Sequence, residues 1–157
     1  MKIKFIAVGK TDNNNLQQLI SDYQKRLQFY IGFDFVIIPD IKNTKNLTEA
    51  QQKDIEGKAV LKNVDKSDQV ILFDEKGSTY NSVGFSKYLQ KKMLSGCKQL
   101  VFVIGGPYGF SEAVYKRAQG KIALSAMTFS HQMVRLFALE QLYRAFTIIK
   151  NEPYHHK

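Results

Sequence analysis

VFVIGGPYGF, residues 101–110, is the stretch that sets the frame for the whole chain. Its four leading apolar residues read as a buried strand. Gly105, Gly106, Pro107, Tyr108 and Gly109 follow, and Ser111 can cap a short helix reaching about Gln119. A strand that runs through a glycine loop into a helix is half of a βα repeat. The loop matches neither GxGxxG nor GxxxxGK[ST], so neither phosphate-binding pattern applies. Gly105 and Gly106 still leave main-chain N–H and C=O groups open to a ligand. Pro107 stiffens the loop, and Gly109 can take a positive φ before the helix. Spacing alone leaves a plain turn and a ligand loop equally open.

The same alternation extends in both directions. Residues 3–8 read as a first strand, and 14–30 as a helix capped by Asn14 with an apolar stripe of Leu16, Leu19, Ile20, Tyr23 and Leu27. Residues 33–38 form a second strand stopped by Pro39, and 40–46 a polar loop. Thr48 and Gln51 make a capping box for a helix to about Lys62. A third strand covers 69–73 and leads into a turn at Asp74 to Gly77. A helix over 82–94 closes at Gly96. After the 100–104 strand and the short helix come a fifth strand at 121–126 and a long helix at 131–149, with Pro153 beyond its end. Such βα alternation predicts an α/β fold with a mainly parallel sheet flanked by helices. Ligands in these folds bind at the carboxyl ends of strands. The candidate ends are those after Phe73, Ile104 and Leu124.

The chain has 157 residues, which suits one domain spanning 1–157, and 44% of them are hydrophobic. A formal net charge of +9 favours an anionic partner, nucleic acid foremost; the alternative is surface lysine that serves solubility. Cys97 is the single cysteine, so no internal disulfide or cysteine-based metal site is available, in keeping with a reducing, cytoplasmic setting. The N-terminal apolar run is too short for a signal segment, and no stretch has the ~18 apolar residues of a membrane span. No membrane association and no metal are expected.

Three further segments could carry chemistry. Leu124 to His131 ends a strand in small and hydroxyl residues and starts a helix that Ser130 can cap. Its amides, with Ser125 and Thr128, suit a polar small molecule, and Met127 and Phe129 could flank a flat ring. The alternative is an ordinary βα loop with Met127 and Phe129 in the core. The last helix is apolar over nearly its whole circumference, which calls for cover on several sides, as at a subunit interface. Glu140 and Arg144 form an i,i+4 pair on it. Arg135 sits roughly opposite, where a buried guanidinium needs either a structural partner or an anionic ligand. The tail, Glu152 to Lys157, joins aromatic, imidazole and ammonium groups able to stack on bases or meet phosphate. No hydrolase motif such as GxSxG or HExxH is present.

Taken in order, AVGK at the first strand, VIGGPYG, LSAMTFSHQMVR, LEQLYRAF and the terminal PYHHK resemble the ribosomal large-subunit methyltransferase H family of the SPOUT class, over nearly the whole chain. The resemblance implies an α/β fold with a C-terminal trefoil knot and a homodimer. It implies transfer of a methyl group from S-adenosyl-L-methionine to N3 of a pseudouridine in large-subunit (23S) rRNA, within the assembled ribosome. It assigns the cofactor pocket to Phe73, Gly105, Gly106, Ser125, Ala126, Met127, Thr128, Phe129 and Ser130. His131, Arg135, Arg144, Tyr154 and His155 match positions near the substrate side, and Lys157 a terminal position that is usually basic. One departure is Ser130, where the family commonly has proline; serine suits a helix cap and proline a first helical position, so either starts the helix.

On this reading His155 or His131 takes the N3 proton, Arg144 or Arg135 stabilises charge on the base oxygens, and Tyr154 orients the base. A side chain at Gly106 is expected to fill space against the cofactor. The rivals are a non-catalytic basic RNA-binding protein of the same fold and an α/β enzyme using another adenosine cofactor.

Overall fold

The computed structural model describes residues 1–155. Five strands, β1 (Lys2–Val8), β2 (Gly32–Ile38), β3 (Gln69–Thr79), β4 (Gln99–Ile104) and β5 (Gly120–Ala123), alternate with five helices. These are α1 (Asn14–Gln28), α2 (Glu49–Leu61), α3 (Ser82–Leu94), α4 (Glu112–Arg117) and α5 (His131–Ile149). The strands form one sheet in the order β2-β1-β4-β3-β5, and every pairing is parallel.

Period-2 patterning places a core on each face of the sheet. Ile3, Phe5, Ile71, Phe73, Leu100, Phe102 and Ile104 point to one side, where α1, α3 and α5 cover them with Leu27, Phe85, Leu89, Leu139, Leu142 and Phe146. Ile6, Val8, Val70, Leu72, Val101 and Val103 point to the other, where Val60 of α2 and Val114 of α4 close over them. The central strand β4 is therefore apolar at every position from Leu100 to Ile104, because both its faces are buried. Truncating a residue such as Phe102 to alanine is worth about 3–5 kcal/mol in a core of this kind.

Helix starts follow the caps read in the sequence, with one shift. Thr48 and Gln51 form the capping box of α2, Ser111 caps α4, and Ser130 caps α5. In α1 the cap is Asn13, whose side chain accepts from Leu16 N, and not Asn14. The helix also stops at Gln28, since the Phe29, Tyr30 and Ile31 amides turn back onto Arg26 and Leu27.

Two strand ends differ from expectation. The fifth strand ends at Ala123, so Ser125 and Ala126 lie in the loop beyond it. The expected turn at Asp74–Gly77 is an excursion inside one long strand: Phe73 pairs with Ile122, and Ser78 pairs with the same Ile122. This is a bulge of the kind that re-aims a strand next to a site. Gly77 makes it possible, because a Cβ there would lie 2.5–2.7 Å from the Ile122 backbone. Gly77→Ala should therefore lower the unfolding free energy by about 1–3 kcal/mol, as overpacking does. Urea denaturation checks this against Lys76→Ala, which should leave the midpoint nearly unchanged.

Candidate functional site

A cavity of about 590 Å³ opens at the carboxyl ends of β3, β4 and β5. Its walls are the β3 excursion (Phe73 to Lys76), the glycine turn (Gly105 to Phe110) and the loop after β5 (Ser125 and Met127 to Ser130). His131 and Val134 at the start of α5 complete it. The three strand ends singled out in the sequence thus meet around one space, where open parallel sheets bind ligands. Of the expected pocket residues, Phe73, Gly105, Gly106, Ser125, Met127, Thr128, Phe129 and Ser130 line it, whereas Ala126 does not.

The glycine loop is both a turn and a wall. Gly109 N donates to Gly106 O at 3.1 Å, with Pro107 and Tyr108 at the turn's centre and Gly109 at φ +80°. Proline at the second position of a four-residue turn presets its φ. A Cβ on Gly105 would stand 3.1 Å from Gly109 O, so the turn folds tightly on itself. A Cβ on Gly106 would stand 2.7 Å from Oε2 of Glu56 on α2. A side chain at 106 therefore meets Glu56 first, a correction to the expectation that it would fill the ligand's space. Glu56 is only 6% exposed, its Oε1 accepts from Gln52 Nε2 at 2.9 Å, and its Oε2 is buried without a hydrogen-bond partner among the described residues. Burial pushes its carboxyl above the ordinary range, against the opposing bond from Gln52.

The loop after β5 carries exposed apolar groups, and neither candidate core residue is in the core. Met127 is 75% and Phe129 37% exposed. The Phe129 ring lies 5.1 Å from that of Phe137, and Met133 of α5 is exposed beside them. Ser125 Oγ accepts from Met127 N at 3.0 Å, and Ser130 Oγ accepts from Met133 N at 3.3 Å, so both hydroxyls hold the loop's shape. At the opposite wall, Tyr115 OH donates to Asp74 Oδ2 at 2.5 Å. Burial, then Asp74, pushes this phenol up to about 12.

His131 is the one expected proton acceptor that lines the cavity. Burial first, and then the positive charge of Arg135, push its pKa below the ordinary value, so the imidazole is neutral at pH 7. Of the two roles open to Arg135, the hydrogen bonds serve the structural one. Its side chain is 0% exposed, Nη2 donates to Val8 O at 2.6 Å, and Nη1 donates to Thr11 Oγ1 at 2.9 Å. The guanidinium ties α5 to the end of β1 and does not line the cavity.

Arg144 and Tyr154 meet elsewhere. Arg144 Nη2 contacts Glu140 Oε1 at 2.5 Å, and its guanidinium lies 4.7 Å from the Tyr154 ring centre. Tyr154 OH lies 3.2 Å from both Glu140 Oε1 and Tyr23 OH, and burial is the chief cause that raises its pKa. It is a hydroxyl donor at neutral pH and not a proton acceptor. His155 is half-buried, with Nδ1 buried and unbonded among the described residues. None of Arg144, Tyr154 and His155 lines the cavity of its own chain. Lys157 lies outside the described residues. Sequence reading missed the cavity-lining Asp74, Glu75, Tyr108 and Tyr115 as site residues, although the first two lay in a segment already seen to follow a strand. It missed Glu56 entirely, since a glutamate in mid-helix carries no signal of burial.

Arg135→Ala should cost about 2–5 kcal/mol of stability, as other large-to-small changes at fully buried positions do. Denaturant unfolding beside the exposed control Lys150→Ala checks this. For Glu56, a raised folded pKa means its stabilising contribution is full below the unfolded value of about 4.3 and is lost as the pH rises through the folded value. Glu56→Gln cannot ionise. Its melting temperature should match wild type near pH 4 and exceed it by a growing margin towards pH 8; a constant offset would contradict this.

A family model described as "Predicted SPOUT methyltransferase" matches residues 1–155. A protein of Flavobacterium johnsoniae named Ribosomal RNA large subunit methyltransferase H is 69% identical over 157 residues, the full length of both chains. Proteins of the same name from Parabacteroides distasonis and Cytophaga hutchinsonii are 58% and 56% identical, covering 100% and 99% of this chain and all of their own. With a parallel sheet whose strand ends gather around one cavity, and relatives matched end to end, the chain belongs to the SPOUT methyltransferase family.

Proposed function

We propose that the protein methylates N3 of a pseudouridine in large-subunit rRNA with S-adenosyl-L-methionine as donor, acting as a homodimer on the assembled, cytoplasmic ribosome. The observation that carries this is the cavity walled by Phe73, the 105–110 turn and the 125–130 loop, in a chain of this family. The cavity fits the donor. Its volume lies in the range of small-molecule sites, roughly 300–1,000 Å³. Phe73, Phe129 and Ile104 offer apolar faces to a flat ring, and the carboxylates Asp74 and Glu75 favour a ligand bearing sulfonium and ammonium charges. When bound, S-adenosyl-L-methionine supplies an already activated methyl group.

The chain's residues then position, desolvate and move a proton. His131, neutral at pH 7, can accept the N3 proton on a free ring nitrogen, and His155 is the alternative acceptor. Arg144, shared with Glu140, offers a cation to the base oxygens, and Tyr154 OH a hydrogen bond that orients the ring.

Two features support the homodimer. The Tyr154–Arg144 cluster does not line its own chain's cavity, so its groups serve catalysis by reaching the cavity of a second subunit. Met127, Phe129, Met133 and Phe137 leave an apolar patch beside the cavity that a partner would cover. A net charge of +9 suits an rRNA substrate.

Incubation of the protein with labelled S-adenosyl-L-methionine and unmodified 70S ribosomes, followed by mass spectrometry of the rRNA, tests the reading. A methylated pseudouridine is expected. Binding of rRNA without transfer would instead favour a non-catalytic RNA-binding protein, and neither result an enzyme of another adenosine cofactor. Deleting the chain after Pro153 should lower turnover by ~10²-fold or more, the scale of a lost acid–base group, while donor binding by calorimetry stays near wild type. Normal turnover of that truncation would refute a role for the tail.

A further inference from the structure

Helix α2 stands behind the glycine turn, outside the cavity. It presents two consecutive residues to the turn's two ends. Glu56 lies under Gly106, where a Cβ would meet its Oε2 at 2.7 Å and its Cδ at 3.1 Å. Gly57 lies against Ser111, whose Oγ occupies the space a Gly57 side chain would need. The helix thus touches the turn where it leaves β4 and where it enters α4, and the cavity-facing backbone of Gly106 to Gly109 is suspended between those supports.

A buried glutamate is an odd choice for a simple prop. Leucine would fill similar volume with no polar atom to satisfy. Here Oε1 is held by Gln52 Nε2 at 2.9 Å, and Oε2, buried and directed at Gly106, has no partner among the described residues. A buried polar group left unpaired costs about 1–3 kcal/mol, so such a group persists where something is gained from it. A carboxyl at this place fills the space beneath the turn and sets a polar atom beside the Gly106 backbone.

We propose that Glu56 is a positioning residue for the donor pocket: its carboxyl, held by Gln52 beneath Gly106, sets the shape of the Gly106–Gly109 turn and through it the affinity for the methyl donor. This rests on the donor reading above. Glu56 touches no donor atom and takes no part in proton transfer; it acts through the backbone of the turn. Its removal therefore raises the Kd and KM for the donor and leaves kcat at saturating donor close to wild type. Glutamine has the same size and keeps a polar atom beside Gly106, and burial already disfavours the charged form of the carboxyl, so glutamine should replace it well.

The experiment compares wild type, Glu56→Gln, Glu56→Leu and Glu56→Ala, using S-adenosylhomocysteine as the calorimetric probe and hydrogen exchange of the ligand-free proteins. Glu56→Gln should retain wild-type affinity. Glu56→Leu and Glu56→Ala should bind the probe about tenfold more weakly, a loss of 1.4 kcal/mol. In those two variants the amides of Gly106, Tyr108 and Gly109 should exchange faster, while those of β1 keep wild-type protection. Wild-type affinity and wild-type exchange at the turn in a folded Glu56→Leu protein would overturn the proposal, as would Glu56→Gln behaving like Glu56→Ala. If wild type binds no probe at all, the donor reading fails, and exchange at the turn alone decides whether Glu56 shapes it.

Discussion

The backbone of Gly77 lies so close to the backbone of Ile122 that no Cβ fits between them. That close approach lets β3 leave its ladder at Phe73, loop out over four residues, and return to the same partner on β5. Without it, β5 would pair in simple register and the loop after Ala123 would start from a different place. With it, Asp74 and Glu75 project at the strand end, and the 125–130 loop faces the glycine turn across the cavity. The parallel sheet supplies the level floor on which this works. Its central strands are buried on both faces, so their ends are fixed by packing rather than by the loops.

The walls of the cavity are rigid for separate reasons. The glycine turn closes through its own hydrogen bond and is braced by α2 at both ends. The loop after β5 is held by Ser125 and Ser130 bonding the amides of Met127 and Met133. The start of α5 is anchored to β1 by the buried guanidinium of Arg135. Burial, and after it this guanidinium, lowers the pKa of His131 one turn earlier on the helix, so an anchoring charge also helps to keep the cavity's imidazole neutral. Few of these groups need to touch a ligand. They hold in place the backbone that walls the cavity, as a site that works by positioning requires.

Much of this was legible in the sequence because it is written in local patterns. The apolar run at 100–104, the capping box at Thr48 and the Ser130 cap each carry their own physical signal, and the first and last of these flank strand ends that become the cavity. What was hidden depends on partners distant in sequence. Asp74 to Gly77 looks like a turn until Ile122 is placed beside it. Arg135 offers two roles until Val8 and Thr11 come within reach, some 120 residues away in the chain. Glu56 looks like a solvated helix position, and only the fold puts it under Gly106. Met127 and Phe129 could flank a ring or sit in the core as far as composition goes, and only the fold shows them exposed.

The central claim is that this cavity, and no other place on the chain, receives the methyl donor. A titration of ¹⁵N-labelled protein with S-adenosyl-L-methionine, followed by amide shifts, tests it most directly. The account predicts saturable shifts at Gly105, Gly106, Tyr108 and Gly109, at residues 74–76 and at 125–131, with Arg26 and the Tyr23 side of α1 unmoved. Saturable shifts confined to α1 and the tail, or none at the glycine turn, would contradict it.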